Sequence, residues 1–115
     1  MIKYNGAQVS PQELEEVIVK HPNVVDVGVV GTDMADGNEL PTAFVVLTAG
    51  SQDDVLEEII RFTADQVSPY KRLRGGVYRK QSIPKNNMGK IQHHILRKEA
   101  NEIYRTLQRR SRSKI

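Results

Sequence analysis

The spacing of apolar residues changes repeatedly along the chain, and each change predicts an element. Ser10-Pro11-Gln12-Glu13 marks a helix start: Ser10 can cap, Pro11 suits the first helical position, and Glu13 can close a capping box. Leu14, Val17 and Ile18 then share one helical face, and His21-Pro22 predicts the end of the helix. Residues 24–30 (VVDVGVV) are β-branched and bounded by Pro22 and Gly31, which predicts a largely buried strand. Residues 32–38 read as a turn or loop. Residues 42–47 read as a second strand, antiparallel to the first because the connection is too short for a helical crossover. Ser51 and Asp54 offer caps for a helix carrying Val55, Leu56, Ile59, Ile60 and Phe62, which Pro69 is expected to end. Gly75-Gly76 turns the chain into a short strand at 77–80. A last helix is predicted from about Gln92 to Leu107, with Ile95, Leu96, Ile103 and Leu107 inward. Residues 109–115 lack an apolar partner and read as a basic, flexible tail. The expectation is a single α+β domain over residues 1–108, with a small mixed or antiparallel sheet covered by helices.

Composition narrows the classes. At 115 residues one domain is expected. With no cysteine, disulfide frameworks and thiolate metal sites are excluded. No apolar run approaches the roughly 20 residues of a membrane span, and the N-terminus has no secretory h-region. Charge is divided: residues 1–66 hold three Lys/Arg against twelve Asp/Glu, whereas residues 67–115 hold fourteen against two. Two readings stand. The basic half could meet phosphates or nucleic acid, or the halves could fold together and pair their charges.

The candidate chemistry lies in Ile83-Pro84-Lys85-Asn86-Asn87-Met88-Gly89-Lys90-Ile91. This segment presents a lysine beside a glycine, just before a basic helix. Gly89 allows a tight turn, and Lys90 is a compact charge on a flexible stem. Such a loop can offer one mobile cation to an anionic substrate. A phosphate-binding P-loop does not fit, because Pro84 stands where its first glycine would be and Ile91 where Ser or Thr would follow the lysine. His93-His94 do not make a metal site, since adjacent helical residues point apart and no ligand set completes them.

A second segment lies at the other end: Ile2-Lys3-Tyr4-Asn5-Gly6-Ala7-Gln8-Val9-Ser10-Pro11, followed by Glu13-Leu14-Glu15. Together with the lysine loop it resembles the C-terminal domain of adenylate-forming acyl-CoA synthetases, in particular the 4-coumarate–CoA ligase and luciferase group of the AMP-binding superfamily. His21-Pro22-Asn23, Pro41 with the following strand, Pro69-Tyr70-Lys71 and Gly75-Gly76-Val77 fall in the same order. The resemblance covers residues 2 to about 100. It implies a mobile lid over a larger N-terminal adenylation domain, in an ATP-dependent carboxylic acid–CoA ligase that works through acyl-AMP.

Carried onto this chain, the resemblance makes Lys90 the adenylation lysine. It makes Lys3 and Gln8 contacts of the acyl-adenylate, with Lys3 also serving the thioester step, and it sets Asn5-Gly6 on the CoA path. ATP, Mg2+ and CoA are the implied cofactors of the parent enzyme, with none held stably by this domain alone. The N-terminal adenylation domain, ATP, the acid and CoA are the implied partners, with no nucleic acid and no membrane span. There are departures. Asn5 stands where a lysine is frequent, Met88 where serine is frequent, and Gln92-His93-His94 delay the basic residues Arg97-Lys98. The family's hinge residue and phosphate loop would precede Met1, which implies an excised lid, inactive by itself. The closing Ser113-Lys114-Ile115 is one step from the peroxisomal import signal Ser-Lys-Leu, so peroxisomal targeting through an import receptor is expected, and a cytoplasmic location otherwise. Two other classes remain open: a stand-alone regulatory or interaction domain with this fold, and a basic nucleic-acid-binding module, against which the few aromatic residues weigh.

Overall fold

Two long strands, β3 (Val24–Asp33) and β4 (Glu39–Leu47), pair antiparallel at the centre of the molecule. The computed structural model describes residues 1–113, so Lys114 and Ile115 of the C-terminal tripeptide lie outside the described residues. The chain opens with a two-stranded hairpin, β1 (Ile2–Tyr4) and β2 (Ala7–Val9), then runs into helix α1 (Pro11–Ile18). After β3 and β4 come helix α2 (Asp54–Ala64), a 3-10 turn (Pro69–Lys71), strand β5 (Val77–Arg79) and helix α3 (His93–Ser113). β5 joins β4 in parallel, so the main sheet is mixed, in the order β3-β4-β5. The α+β expectation and the antiparallel β3–β4 pair are both found.

The β-branched runs are explained by burial on both faces. Val27, Val29, Ala43, Val45 and Val77 point to one face, where the hairpin, α1 and α2 pack with Ile2, Val9, Leu14, Ile18, Val55 and Ile59. Val30 and Phe44 point to the other, under Ile83, Leu96 and Ala100. Fully burying a side chain such as Phe44 or Leu96 contributes about 1.5–3 kcal/mol. Gly28 marks the closest approach of α3, since a methyl group there would collide with Leu96 Cδ1.

Strand β3 is an edge, and its outward backbone groups are claimed from both sides. Val29 N–H donates to Glu15 Oε2 of α1 at 2.9 Å, and Asp33 N–H donates to Asn101 Oδ1 of α3 at 2.8 Å.

Several boundaries differ from expectation. Ser10 Oγ accepts Glu13 N–H at 3.3 Å as a cap, but the Glu13 carboxylate takes Lys71 Nζ at 2.7 Å instead of closing a capping box. α1 ends at Ile18, before His21, which is buried and accepts Asn23 N–H on Nδ1. Asp53, not Ser51 or Asp54, caps α2, and it does so without a side-chain bond. Ser51 is drawn into bonds with Thr48 and Asn23. α2 stops at Ala64, so Pro69 starts the 3-10 turn and does not end the helix. α3 continues through Ser113, well past Leu107, because its last turns are rich in good helix formers. That helix overhangs the core. Leu107, on the inward stripe, is 49% exposed, and Ile95 is 42% exposed on another face. Among the described residues, no helix is long and apolar enough to cross a membrane.

Candidate functional site

The lysine loop hangs between Ile83, which is buried under the sheet, and α3. Its two arms meet in a single bridge, Lys85 opposite Ile91, and Gln92 N–H donates to the Pro84 carbonyl at 2.9 Å. Within the loop, Asn86 N–H donates to the Lys90 carbonyl at 2.9 Å, and Gly89 N–H donates to the Asn86 carbonyl at 3.0 Å. Asn86 Oδ1 accepts two further backbone donors, Met88 N–H at 2.9 Å and Lys90 N–H at 3.0 Å. Gly89 turns the chain at φ +82°, a conformation that favours glycine. The result is a tight, closed loop whose residues 85–90 are all exposed. Its two lysines differ. Lys85 Nζ is held 2.6 Å from Asp26 Oδ2, whereas Lys90 takes part in no ion pair among the described residues. The loop therefore holds its backbone firmly and leaves one ammonium free.

The hairpin supplies the other candidates. Asn5 (φ +48°) and Gly6 (φ +80°) form a two-residue turn with both residues left-handed, the geometry that suits the right-handed twist of a hairpin. That turn sets the register Ile2↔Val9, Lys3↔Gln8 and Tyr4↔Ala7. Ile2 and Val9 are buried, so Lys3 and Gln8 fall side by side on the opposite, exposed face. They line a shallow cleft of about 310 Å³ with Gly6 and the β3–β4 loop at Gly37 and Asn38. Four of the sequence-derived candidates, Lys3, Asn5, Gly6 and Gln8, are therefore brought together.

Lys90 is not brought to them. The base of its loop lies over the start of β3, where Lys85 meets Asp26 and Ile91 packs near Gly28. The hairpin is fastened at the other end of the ribbon, where Asn38 and Glu39 reach it and Glu39 pairs with Asp33. Seven residue steps of extended strand separate Asp26 from Asp33, about 23 Å.

Three residues that hold these candidates escaped the reading of the sequence. Asn86 organises the lysine loop. Asn38 Oδ1 accepts Asn5 N–H at 3.0 Å, and Glu39 Oε1 accepts Lys3 N–H at 3.3 Å. Asn5-Gly6 itself carries the strongest short-range hairpin signal. The two clamping contacts bridge 33 and 36 residues of sequence and leave no local pattern.

The divided charge pairs across the fold. Lys71 meets Glu13, Arg79 meets Asp53, Lys85 meets Asp26, and Arg97 meets both Asp33 and Glu39. The hydrogen bond that Lys71 donates to Glu13 holds its ammonium above the ordinary lysine pKa, with the carboxylate's charge adding to it and desolvation opposing. His93 Nε2 lies 2.8 Å from Glu15 Oε2, while His94 is exposed. Among the described residues, no group of three His, Asp or Glu could hold a metal ion.

The profile of the AMP-binding enzyme C-terminal domain family matches residues 13–90. A putative acyl-coenzyme A synthetase of Emericella nidulans is 46% identical over 102 residues, which is 87% of this chain and 18% of that protein. A luciferin 4-monooxygenase of Luciola mingrelica is 44% identical over 97 residues, 84% of this chain and 18% of that protein. The chain thus spans less than a fifth of the length of these relatives. Among solved structures, the anthranilate CoA ligase AuaEII in complex with anthranoyl-AMP superposes with a TM-score of 0.81 at 29% identity, over 90% of this chain and 20% of that one.

Proposed function

Starting from the fact that this chain belongs to the AMP-binding enzyme C-terminal domain family, we propose that it is the lid of an ATP-dependent carboxylic acid–CoA ligase acting through acyl-AMP. The observation that carries this reading is the separation of its two candidate groups. A single rigid domain bearing Lys90 at one end of the β3–β4 ribbon and Lys3 at the other offers only one of them at a time to one active centre. Two successive half-reactions served by two orientations of the lid make use of that arrangement, and lid movements of this kind commonly gate catalysis.

In the first orientation Lys90 enters the site. The acid's carboxylate attacks the α-phosphate of ATP, and pyrophosphate leaves with its electron pair. Two anions approach in this step, and an unpaired ammonium between them lowers the barrier electrostatically. The closed loop holds the lysine backbone still, so little conformational entropy is lost when the charge arrives. In the second orientation the hairpin faces the adenylate. Lys3 and Gln8 contact it, and the Asn5-Gly6 turn lies along the path of the CoA thiol, which attacks the acyl carbon and expels AMP. The bound anthranoyl-AMP of the related ligase structure is an acyl-adenylate of the required kind.

ATP and CoA are substrates of the parent enzyme in this reading, and the acid is selected by the adenylation domain. Mg2+ would accompany the ATP phosphates. The described residues offer no ligand set for it, so its ligands are assigned to the other domain. The isolated chain is expected to catalyse no ATP–pyrophosphate exchange.

The decisive test is Lys90→Ala in an enzyme carrying this domain. Adenylation should fall by two or more orders of magnitude, as when a single electrostatic donor is removed. Thioester formation from preformed acyl-AMP should be spared. Equal loss of both half-reactions would refute the division of labour.

A further inference from the structure

The hairpin that carries Lys3 makes only three cross-strand pairs of its own, too few for independent stability. Its pose must be imposed from outside, and two consecutive residues, the last of the β3–β4 loop and the first of β4, impose it on the polar side. Asn38 Oδ1 accepts the N–H of Asn5, and Asn38 Nδ2 donates to Asn5 Oδ1 at 3.3 Å. Glu39 Oε1 accepts the N–H of Lys3.

Glu39 is an unusual choice for a backbone acceptor. Its side chain is only 11% exposed, and its second oxygen, Oε2, lies 2.9 Å from Arg97 Nη1 of α3. That contact lacks the alignment of a good hydrogen bond, so it holds the oxygen mainly by charge. The carboxylate is pressed against Gly31, where a methyl group would come within 2.5 Å of Oε2. A buried carboxylate costs free energy unless it is paired, and a glutamine or an apolar residue would have packed at less expense. The site is arranged to run one ionic link from the backbone of Lys3 through Glu39 to Arg97.

We propose that Asn38-Glu39, backed by Arg97, is a positioning clamp for the second half-reaction. It fixes the height and tilt of the Lys3–Gln8 face and of the Asn5-Gly6 turn against the body of the domain. None of the three needs to touch substrate. Their effect is transmitted through the hairpin backbone, and misplacing a reacting group by about 1 Å can cost on the order of a hundredfold in rate. This inference rests on the assignment of the hairpin to thioester formation.

The test uses Glu39→Gln, which keeps a side-chain oxygen for Lys3 N–H but removes the charge facing Arg97, together with Arg97→Gln and the double variant. In an enzyme carrying this domain, Glu39→Gln should slow thioester formation from preformed acyl-AMP about tenfold or more and change ATP–pyrophosphate exchange by less than about twofold. The double variant should be no slower than the worse single one, because both break one link. In the 115-residue chain, the amides of Lys3 and Asn5 should exchange faster while those of β3 and β4 hold. Equal loss of both half-reactions, or an unchanged thioester step beside a damaging Lys3→Ala, would overturn the clamp. If Lys3→Ala itself spares the thioester step, the assignment of the hairpin fails, and the clamp fails with it.

Discussion

Asn86 Oδ1 accepts the backbone N–H of Lys90 at 3.0 Å, so the residue that opens the lysine loop also fixes the residue that closes it. The same oxygen takes Met88 N–H, and one side chain thus replaces the backbone partners that a six-residue exposed turn lacks. Asn86→Ala should free both amides to solvent. Because the loop is exposed, water replaces the lost partner and the stability cost should stay near 1 kcal/mol or below. The kinetic effect should be larger than the stability effect, with adenylation falling about tenfold as the loop loses order. Amide exchange at Met88 and Lys90, read beside ATP–pyrophosphate exchange, checks both halves of the statement.

Gly75 and Gly76 stand together for different reasons. Gly76 has φ +96°, a conformation that strains any residue with a side chain. Gly75 is held by sterics: its N–H donates to the Pro41 carbonyl at 2.9 Å, and a methyl group would collide with Thr42 Oγ1, which is itself bonded to Thr32. Gly75→Ala should therefore destabilise by about 1–3 kcal/mol through overpacking. Gly76→Ala should cost about 1–2 kcal/mol through backbone strain. Denaturant midpoints should fall for both, whereas Gly37→Ala, which meets open space, should show only its strain at φ +87°. A silent Gly75→Ala would contradict the close packing of Gly75 against Thr42.

What was legible beforehand had local causes. The β-branched runs of β3 and β4, the Ser10-Pro11 start of α1 and the glycine turn into β5 each follow from neighbouring residues. The lysine loop was recognisable because proline, glycine and lysine act over a few positions. What was hidden depends on contacts between distant segments. Nothing near Glu39 announces that it will accept the N–H of Lys3, and nothing near Asn38 announces Asn5. Leu107 was expected inward because its spacing is right for the stripe of Leu96 and Ile103. The stripe outlasts the core, and spacing alone does not say where a core stops. Ser51 has the chemistry of a cap, but Thr48 and Asn23 claimed its hydroxyl first.

The Lys71–Glu13 pair gives a pH dependence with a defined sign. Its 2.7 Å bond ties the 3-10 turn to α1 and raises the Lys71 pKa above the ordinary 10.5. A group whose folded pKa is raised adds stability that is fully present below its unfolded value and is lost as pH rises through the folded value. The advantage of the wild type over Glu13→Gln should thus be constant at neutral pH and shrink above about pH 10.5. Both side chains are exposed enough for salt to screen the pair, so the difference should also narrow at high ionic strength. Thermal midpoints across alkaline pH would show it, and a gap that widens above pH 10.5 would contradict the assignment.

Asn5 shows how one position can serve a turn at the expense of a charge. At φ +48° asparagine is tolerated far better than lysine, and its side-chain oxygen also accepts from Asn38 Nδ2. On the proposed reading, a lysine here would place a cation on the CoA path and give up both advantages. Asn5→Lys in this chain should lower stability by about 1–2 kcal/mol, because the left-handed conformation is retained while its best occupant is lost. In an enzyme carrying this domain the same change should lower KM for CoA at low salt and leave ATP–pyrophosphate exchange unchanged. The gain should fade as salt rises, since it comes from an exposed charge meeting phosphates. Asn5→Ala separates the two effects: it should lose comparable stability with no gain toward CoA. If Asn5→Lys and Asn5→Ala shift KM for CoA equally, position 5 acts only through the turn, and the cation contributes nothing to CoA binding.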